Sequence, residues 1–309
     1  MSQLEPTHKM KYVNLGKSGL KVSQLILGLM TYGSGQEWMI GDHDEGIRQM
    51  KYAYDQGINT FDTANVYSAG ESEIILGKFL KQHKIPRESR IFASVKGSLE
   101  RLGVDYIDVL QCHRFDYETP IGETMQALHD VVQAGLVRYI GMSSCWAWQF
   151  QLMQQYAVQN RLTPFISMQN QHSALYREEE REMMPMLKHF GVGVIPWGPL
   201  GAGLLCRPVD GSQATKRGQS QTNDGRGKLP SDQAVIKAVE AVAKRKGVSM
   251  AEVAVAWSLQ SEWVTAPIVG VRSTERLDEL IKGLDVELTK EDMEEIGKGY
   301  VPVPIRGHT

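Results

Sequence analysis

The sequence contains three cysteines among its 309 residues, and none of them forms a CxxC pair. Cys112, Cys145 and Cys206 are widely separated, so neither a disulfide framework nor a zinc site is indicated, and no bound metal is expected. The sequence also has no run of 18 apolar residues and no apolar N-terminal stretch, which a membrane span or a signal peptide would require. We therefore expect a cytoplasmic protein with reduced thiols and no membrane partner.

An excess of charge of either sign is also missing. The 34 Lys and Arg residues are balanced by 36 Asp and Glu residues, so the chain has no general attraction for phosphate backbones, and nucleic acid is not an expected partner. There is no GxGxxG, no GxxxxGK[ST], no HExxH and no GxSxG motif, so the common dinucleotide-fold, phosphate-loop, zinc-protease and serine-hydrolase interpretations lose their support. A composition of 42% hydrophobic residues nevertheless supports a large buried core.

Short apolar runs alternate with longer segments of helical period from Val22 onward, a pattern typical of parallel strands joined by crossover helices. The predicted fold class is α/β, and the length suits one barrel domain spanning residues 1–309, with a long exposed loop at about 206–229. The predicted strands are Leu25–Gly28, Asn59–Asp62, Tyr106–Cys112, Arg138–Met142, Phe165–Gln169, Gly193–Trp197 and Thr265–Val269. The predicted helices are Asp44–Asp55, Glu71–Lys81, Ile121–Gln133, Glu178–His189, Asp232–Arg245, Met250–Gln260 and Thr274–Lys282.

The alternation of strands and helices breaks once, after the helix that ends near Gln82. The segment HKIPRESR leads there into IFASVKGSLERLG, whose apolar residues fall on one face of a further helix. Two helices thus follow each other without a strand between them. A barrel of eight strands lacks its third strand in this sequence, and seven is not the usual number for closure. We therefore predict a barrel in which strand 3 is missing or distorted near Arg90.

Polar side chains follow the C-terminal ends of several predicted strands, where barrel enzymes place their active sites. A single Asp or Tyr in such a loop is most often structural, but these residues recur at strand after strand. They are Asp62, Asn65, Tyr67, His113, Ser143, Ser144, Gln169, Asn170 and Trp197. Other conspicuous residues lie outside this group: Trp146 and Trp148 are expected to be packing residues, and the acidic run Glu178 to Glu180 a solvated helix face.

Six stretches of the sequence resemble the aldo-keto reductase family, and more narrowly its fungal, aryl-alcohol-dehydrogenase-like and potassium-channel-β-subunit-like branch. In chain order they are LGKSGLKVSQLILGLMTYG, GINTFDTANVYSAGESEIILGKFL, SLERLGVDYIDVLQCHRFD, ALHDVVQAGLVRYIGMSS, PWGPLGAGLL and PIVGVRSTERLDELI. The resemblance implies a (β/α)8 TIM barrel that reduces an aldehyde or ketone to an alcohol with NADPH. It leaves open whether the chain forms a homo-oligomer.

The resemblance makes Tyr67 the general acid that protonates the carbonyl oxygen, with Asp62 and His113 in support. Free tyrosine has a pKa of about 10, so it donates its proton poorly unless a nearby positive charge lowers that value. In the family, a lysine at the end of the third strand supplies this charge, and here both strand and lysine are missing. Lys96 is an alternative source if IFASVK forms a makeshift strand, although the helical period argues against that.

The resemblance also assigns residues to the nicotinamide and pyrophosphate of the cofactor. Ser143, Ser144 and Gln169 would hold the carboxamide, and Trp197 would stack on the nicotinamide ring. The backbone at three residues, which needs no side chain for this role, would approach the pyrophosphate. These residues are Gly198, Leu200 and Gly203.

The last predicted helix suits the remaining phosphate of the cofactor. Arg272, Ser273 and Thr274 fall at its N-terminus, where free amides and the helix dipole favour an anion. Arg272 and Arg276 together favour the 2′-phosphate of NADP(H) over the bare ribose of NAD, and Glu279 would accept a hydrogen bond from the adenine amine. Two functions stay open: an NADPH-dependent carbonyl reductase, and a catalytically impaired NADP(H)-binding subunit that regulates or senses.

Overall fold

The computed structural model describes residues 10–83, 93–209 and 227–308, which form nine strands and ten α-helices. The strands are β1 (Tyr12–Asn14), β2 (Lys21–Ser23), β3 (Ile26–Gly28), β4 (Phe61–Asp62), β5 (Ile107–Cys112), β6 (Val137–Ser143), β7 (Phe165–Gln169), β8 (Gly193–Val194) and β9 (Ile268–Val269). The helices are α1 (His43–Asp55), α2 (Glu71–Gln82), α3 (Ala93–Leu102), α4 (Ile121–Gln133), α5 (Ala147–Gln159), α6 (Met183–Phe190), α7 (Pro230–Lys246), α8 (Met250–Gln260), α9 (Thr274–Lys282) and α10 (Lys290–Lys298).

Seven strands run parallel in two ladders, in the orders β4-β3-β9 and β5-β6-β7-β8. A parallel bridge between Trp197 and Ile268 joins them, and the Ile268 N–H donates to the Pro196 carbonyl at 2.9 Å. The strand order across this sheet is therefore β4-β3-β9-β8-β7-β6-β5. This is the strand succession of a parallel α/β barrel, so the predicted fold class is confirmed.

The two ends of this strand order do not meet. Within the described segments, β4 pairs only with β3, and β5 pairs only with β6. Every residue of β5 is partly exposed, whereas most of its neighbour β6 is buried. The described residues thus contain no strand between β4 and β5, as the sequence predicted. Residues 84–92, which include the break near Arg90, lie outside the description, as does most of the predicted loop at 206–229.

Helix α3 lies against α2 at this open edge. Gly77 allows the close approach, because a Cβ atom there would stand 2.4 Å from the Leu102 carbonyl oxygen. The buried Glu73 carboxylate of α2 accepts a hydrogen bond from Arg101 Nε at 2.7 Å. Lys96 lies within α3 and is exposed. The helical period therefore predicted the local structure correctly, and the alternative prediction of a strand ending in Lys96 is wrong.

The N-terminal end of the sheet is covered by the antiparallel hairpin β1-β2, which the sequence reasoning did not predict. Lys17 N–H donates to the Gly191 carbonyl at 2.8 Å, and Leu15 packs with apolar residues of the sheet interior. That interior cluster consists of Leu15, Val22, Ile26, Ile195, Ala266 and Ile268. Burial of these side chains stabilises the N-terminal end of the sheet.

The packing of two tryptophans is partial, and the prediction of a solvated acidic face is wrong. Trp146 and Trp148 are 39% and 55% exposed, and each packs against one other ring, His308 and Phe115 respectively. Helix α5 carries apolar residues on its outer face as well as its inner face. The same lack of a one-sided apolar stripe explains why α5 was not predicted. Glu178 and Glu179 are buried, because the predicted helix from Glu178 begins as a separate turn at Glu178–Glu180, before α6.

No helix in the described segments has the length and apolar character needed to cross a membrane. Nor does any group of three or more His, Cys, Asp or Glu side chains in those segments have the arrangement of a metal site.

We predict that a third strand inserted at the break, between Ser89 and Ile91, raises thermal stability. A family strand whose terminal lysine is replaced by methionine would pair the open edges of β4 and β5 without adding a charge. We expect the melting temperature to rise by at least about 2 °C, measured by circular dichroism. An insert of equal length made of Gly and Ser is the control, and an equal effect of both inserts would contradict the open edge.

Candidate active site

The polar residues predicted from strand ends are brought together at one end of the parallel sheet. Asp62 ends β4, His113 follows β5, and Tyr67 begins the short helical turn that connects β4 to α2. Ser143 and Gln169 end β6 and β7. All five side chains line the same cavity, because the C-terminal ends of parallel strands lie at one edge of the sheet.

The Asp62 carboxylate has an amide as its partner, whereas the resemblance predicts a lysine beside it. Gln169 Nε2 donates to Asp62 Oδ1 at 3.0 Å. Burial raises the pKa of Asp62 to about 6, and this hydrogen bond offsets only part of the effect. A carboxylate beside an ammonium group would instead have a lowered pKa. Burial thus dominates the pKa of Asp62.

Tyr67 is held in an environment that favours its protonated form. Burial raises the pKa of Tyr67 above its ordinary value, the charge of Asp62 raises it further, and the Arg114 guanidinium acts in the opposite direction. Sequence reasoning had assigned no role to Arg114, which directly follows His113. Its Nη1 donates to the His113 carbonyl at 2.5 Å.

His113 faces Tyr67 edge-on, with 6.4 Å between ring centroids and an interplanar angle of 83°. Burial lowers the pKa of His113, and the charge of Arg114 lowers it further. The imidazole is therefore neutral at pH 7 and can donate one N–H to a carbonyl oxygen.

The four residues predicted to hold the nicotinamide also lie together. Ser143 Oγ donates to the Gln169 carbonyl at 2.6 Å, and Trp197 Nε1 donates to Ser144 Oγ at 3.4 Å. Ser144 adopts a φ of 46°, and its N–H donates to Asn170 Oδ1 at 2.7 Å. The strand-end rule thus grouped these side chains correctly.

Sequence reasoning missed the support behind Ser144. Asn170 Nδ2 donates to the buried Glu179 carboxylate, whose Oε1 lies 3.0 Å from His308 Nε2. His308 also packs edge-on against Trp146, with centroids 4.9 Å apart. The C-terminal tail therefore reaches the predicted nicotinamide end. Because the tail carries no motif, only the structure locates it.

His172, whose role the sequence left open, is fully buried and lies against α8. Its ring stacks on Trp257 at 5.3 Å, and Nε2 lies 2.8 Å from Glu180 Oε1. These contacts fit a packing role.

The predicted phosphate-binding residues form a second group. Gly198 and Gly203 have φ values of +72° and +88°, which glycine adopts most readily. Leu200 packs against the apolar cluster that contains Leu277 of α9. The segment from Gly198 to Gly203 thus lies beside the helix predicted to hold the remaining phosphate.

The N-terminus of α9 is built as predicted. Ser273 caps it by accepting from the Arg276 N–H at 3.4 Å, and Thr274 is its first residue. Arg272 is exposed. Arg276 Nη1 forms an ion pair with Glu279 Oε2 at 2.6 Å, so Glu279, predicted to accept from adenine, here accepts from Arg276.

Comparison with known proteins is consistent with this geometry. The model of the aldo/keto reductase family matches residues 24–300. A candidate aryl-alcohol dehydrogenase of Schizosaccharomyces pombe is 41% identical over 355 aligned positions, covering 99% of both chains. The versiconal hemiacetal acetate reductase of Aspergillus parasiticus is 42% identical, covering 96% of this chain and 98% of its own. The aldo-keto reductase AMT2 of Alternaria alternata is 40% identical, covering 96% and 94%.

The length of the first alignment bears on the open edge. It extends over 355 positions, whereas this chain has 309 residues. The Schizosaccharomyces relative therefore contains segments that have no counterpart here, as expected if a structural unit is missing.

We predict that Asp62→Asn stabilises the protein at pH 8 and leaves its stability at pH 4 almost unchanged. A pKa raised from 3.8 to about 6 means that the native state binds more protons than the unfolded state between these values. Stability therefore falls as pH rises through this window, by at most about 3 kcal/mol. Asparagine removes the charge and keeps the oxygen that accepts from Gln169. Thermal denaturation at both pH values measures the difference.

Glu71→Gln is the matched control, because Ser34 and His43 lower the pKa of Glu71 to about 2. The stability that this carboxylate provides is present above the unfolded pKa and lost as pH falls toward 2. Glu71→Gln should therefore destabilise the protein at pH 8. Destabilisation by Asp62→Asn at pH 8 would show that Asp62 has a cationic partner after all.

Proposed function

The chain belongs to the aldo/keto reductase family, and on that premise we propose that it reduces aldehydes or ketones to alcohols with NADPH. The supporting observation is the convergence of Asp62, Tyr67 and His113 with Ser143 and Gln169 on one cavity. A proton donor and a neutral hydrogen-bond donor beside the carboxamide-binding groups suit carbonyl reduction. The names of the relatives, an aryl-alcohol dehydrogenase and a hemiacetal acetate reductase, are consistent with that chemistry.

The residues of the second group fit a dinucleotide that carries a 2′-phosphate. Gly198 and Gly203 leave the backbone uncovered by side chains, and the first amides of α9 point out of the helix N-terminus. Arg272 at this terminus is exposed, and Arg276 lies one turn further along. When bound, NADPH would supply the hydride that adds to the carbonyl carbon.

The chain's own residues provide the proton and orient the substrate. Tyr67 holds its phenolic proton at rest, because burial and the charge of Asp62 raise its pKa, and donates it to the carbonyl oxygen as negative charge develops there. The neutral His113 ring donates a hydrogen bond to the same oxygen and so fixes the carbonyl. Arg114, whose charge lowers the pKa of Tyr67, favours loss of the proton.

A second candidate function is an NADP(H)-binding subunit with little turnover. The partner of Asp62 favours it, because in the described segments this carboxylate accepts from the Gln169 amide and not from an ammonium group. Without that charge, Tyr67 is a weaker acid and proton transfer is slower.

The partner that we propose in either case is a small molecule, acting in the cytoplasm. The three cysteines are free thiols in the structure, in keeping with a reducing compartment. The proposed substrate is an aldehyde or ketone.

We predict that the NADPH complex is oxidised in a single turnover by an activated aromatic aldehyde, and that Tyr67→Phe lowers this rate at least about 100-fold. The affinity for NADPH should change less than twofold, because the hydroxyl supplies the proton and makes no cofactor contact. Stopped-flow absorbance of NADPH measures the rate. NADPH binding without oxidation would favour the subunit, and an active Tyr67→Phe variant would remove Tyr67 from its role.

We also predict that the protein binds NADPH at least about tenfold more tightly than NADH. NADH lacks the 2′-phosphate and therefore cannot make the charge-assisted contacts with the arginines. The double variant Arg272→Ala, Arg276→Ala should lose this preference while NADH affinity stays within twofold. Fluorescence titration measures both affinities, and Lys282→Ala at the other end of α9 is the control. Equal affinity of the parent for both nucleotides would rule out the 2′-phosphate site.

A further inference from the structure

Three consecutive residues after Tyr67 have left-handed backbone conformations. Ser68, Ala69 and Gly70 have φ values of 46°, 53° and 93°. Glycine adopts such values readily, but a residue with a Cβ atom is strained there. Strained backbone of this kind persists only where surrounding contacts hold it. Because the turn begins at the proposed proton donor, the contacts that hold the turn also affect the position of the phenol.

The first of these contacts is with the loop between β3 and α1. Gly33 packs so closely on the turn that a Cβ atom there would stand 2.6 Å from both Cβ and Oγ of Ser68. Ser68 Oγ also donates to Met39 Sδ at 3.6 Å. Ser68 thus lies against both ends of the loop, and the shape of the turn depends on the position of the loop.

The base of this loop is anchored to the sheet. Gly33 N–H donates to the Ile40 carbonyl at 2.9 Å, and Ile40 N–H donates to the Thr31 carbonyl at 2.8 Å. Thr31 Oγ1 donates in turn to the Val271 carbonyl, beyond the end of β9, at 3.0 Å. These bonds hold the base of the loop, and Ser34 begins its exposed part.

Glu71, the first residue of α2, joins the exposed part of the loop to the turn. Its Oε2 accepts from the N–H and from the Oγ of Ser34, both at 2.6 Å. Its Oε1 lies 2.7 Å from His43 Nε2. Lys78 Nζ donates to Nδ1 of the same ring at 2.9 Å, so Nδ1 is the acceptor and Nε2 carries the hydrogen that Glu71 accepts. We name Glu71 with Ser34 and His43 the carboxylate clamp.

The carboxylate clamp uses both oxygens of a charged group. Hydrogen bonds from Ser34 and His43 lower the pKa of Glu71 to about 2, so Glu71 is ionised at pH 7 and its hydrogen bonds are charge-assisted. An amide in its place would turn an N–H toward one of these donors. Ser34 belongs to the loop, His43 begins α1 and Glu71 begins α2. The carboxylate clamp therefore joins three elements directly behind the turn.

We propose that Glu71 is a positioning residue for Tyr67. Through Ser34 it keeps the loop against Ser68, and so holds the left-handed turn that keeps the phenol beside His113. If the turn relaxed to right-handed φ values, the chain between Tyr67 and α2 would change direction, and Tyr67 would lose its edge-on contact with His113. The catalytic consequence rests on the proposed function.

Single-turnover oxidation of bound NADPH by an activated aromatic aldehyde reports on the position of Tyr67. We expect Glu71→Ala to lower this rate at least about tenfold, because small misplacements of a reacting group are costly. The dissociation constant of NADPH should change less than about twofold, as expected when only proton transfer is affected. Ser34→Ala, which removes one bond at an exposed position, should lower the rate about threefold. Rates equal to that of the parent in both variants would overturn the proposal.

Asp292→Asn is the matched control for a general loss of stability. Asp292 of α10 is a buried carboxylate that pairs with Arg245 and Lys246, each at 2.7 Å. Its substitution should lower the melting temperature, as Glu71→Ala does, but leave the single-turnover rate unchanged. An equal loss of rate in Asp292→Asn and Glu71→Ala would show that the rate follows stability, and would overturn the proposal.

Ala69→Gly separates positioning through the turn from a merely structural role of Glu71. Glycine at this exposed position adopts the left-handed φ without strain, so the turn should depend less on the carboxylate clamp. In the Ala69→Gly background, Glu71→Ala should therefore lower the rate less than about threefold. A loss as large as that in the parent would contradict a role of Glu71 through the turn.

NMR of the NADPH-free protein gives a readout that does not depend on carbonyl reduction. The contact between Tyr67 and His113 should give a nuclear Overhauser effect when Tyr and His rings are selectively labelled. We expect Glu71→Ala to weaken this effect and the added change Ala69→Gly to restore it. If the parent does not oxidise NADPH but the effect behaves in this way, the positioning role stands and the reductase does not. If the parent oxidises NADPH and Glu71→Ala changes neither rate nor effect, the reverse holds.

Discussion

Among the described residues, the hydrogen bonding of the parallel sheet does not continue from β4 to β5, and much else in the described structure follows from this interruption. Unpaired backbone groups at a sheet edge favour association or exposure to water. In the described residues, helices α2 and α3 pack together beside this edge through Gly77 and the buried pair of Glu73 with Arg101. The cavity that Tyr67 and His113 line also reaches residues of β5 and α3 at this edge.

The same interruption sets the electrostatics of the active site. The resemblance to the family predicts a lysine beside Asp62, and in the described segments Asp62 has the amide of Gln169 as its partner instead. Burial raises the pKa of both Asp62 and Tyr67, and the charge of Asp62 raises the pKa of Tyr67 further. Arg114, which donates to the His113 carbonyl, lowers the pKa of Tyr67. In the mechanism that we propose, Tyr67 is therefore a weaker acid than a tyrosine beside an ammonium group.

Sequence reasoning located most of the sheet, because buried parallel strands are short apolar runs that end in polar residues; Phe165–Gln169 is reproduced without change. It also predicted α3, since the helical period through Leu99 and Leu102 is regular. It failed where local sequence carries no one-sided pattern, as in α5, and where tertiary contacts override polarity, as for Glu179 beneath Asn170. The link from His308 to the nicotinamide end joins residues far apart in the chain, which no local pattern can indicate.

Hydrogen exchange of the β5 amides tests the open edge most directly. The Ile107 N–H donates to the Leu136 carbonyl at 3.1 Å, and successive residues of a strand point their amides to opposite sides. Those of Leu110 and Cys112 therefore face the open edge. We expect these two amides to exchange much faster than those of Ile107 and Gln111 when resolved by NMR. Uniformly slow exchange along β5 would show a strand paired on both sides and would contradict the account.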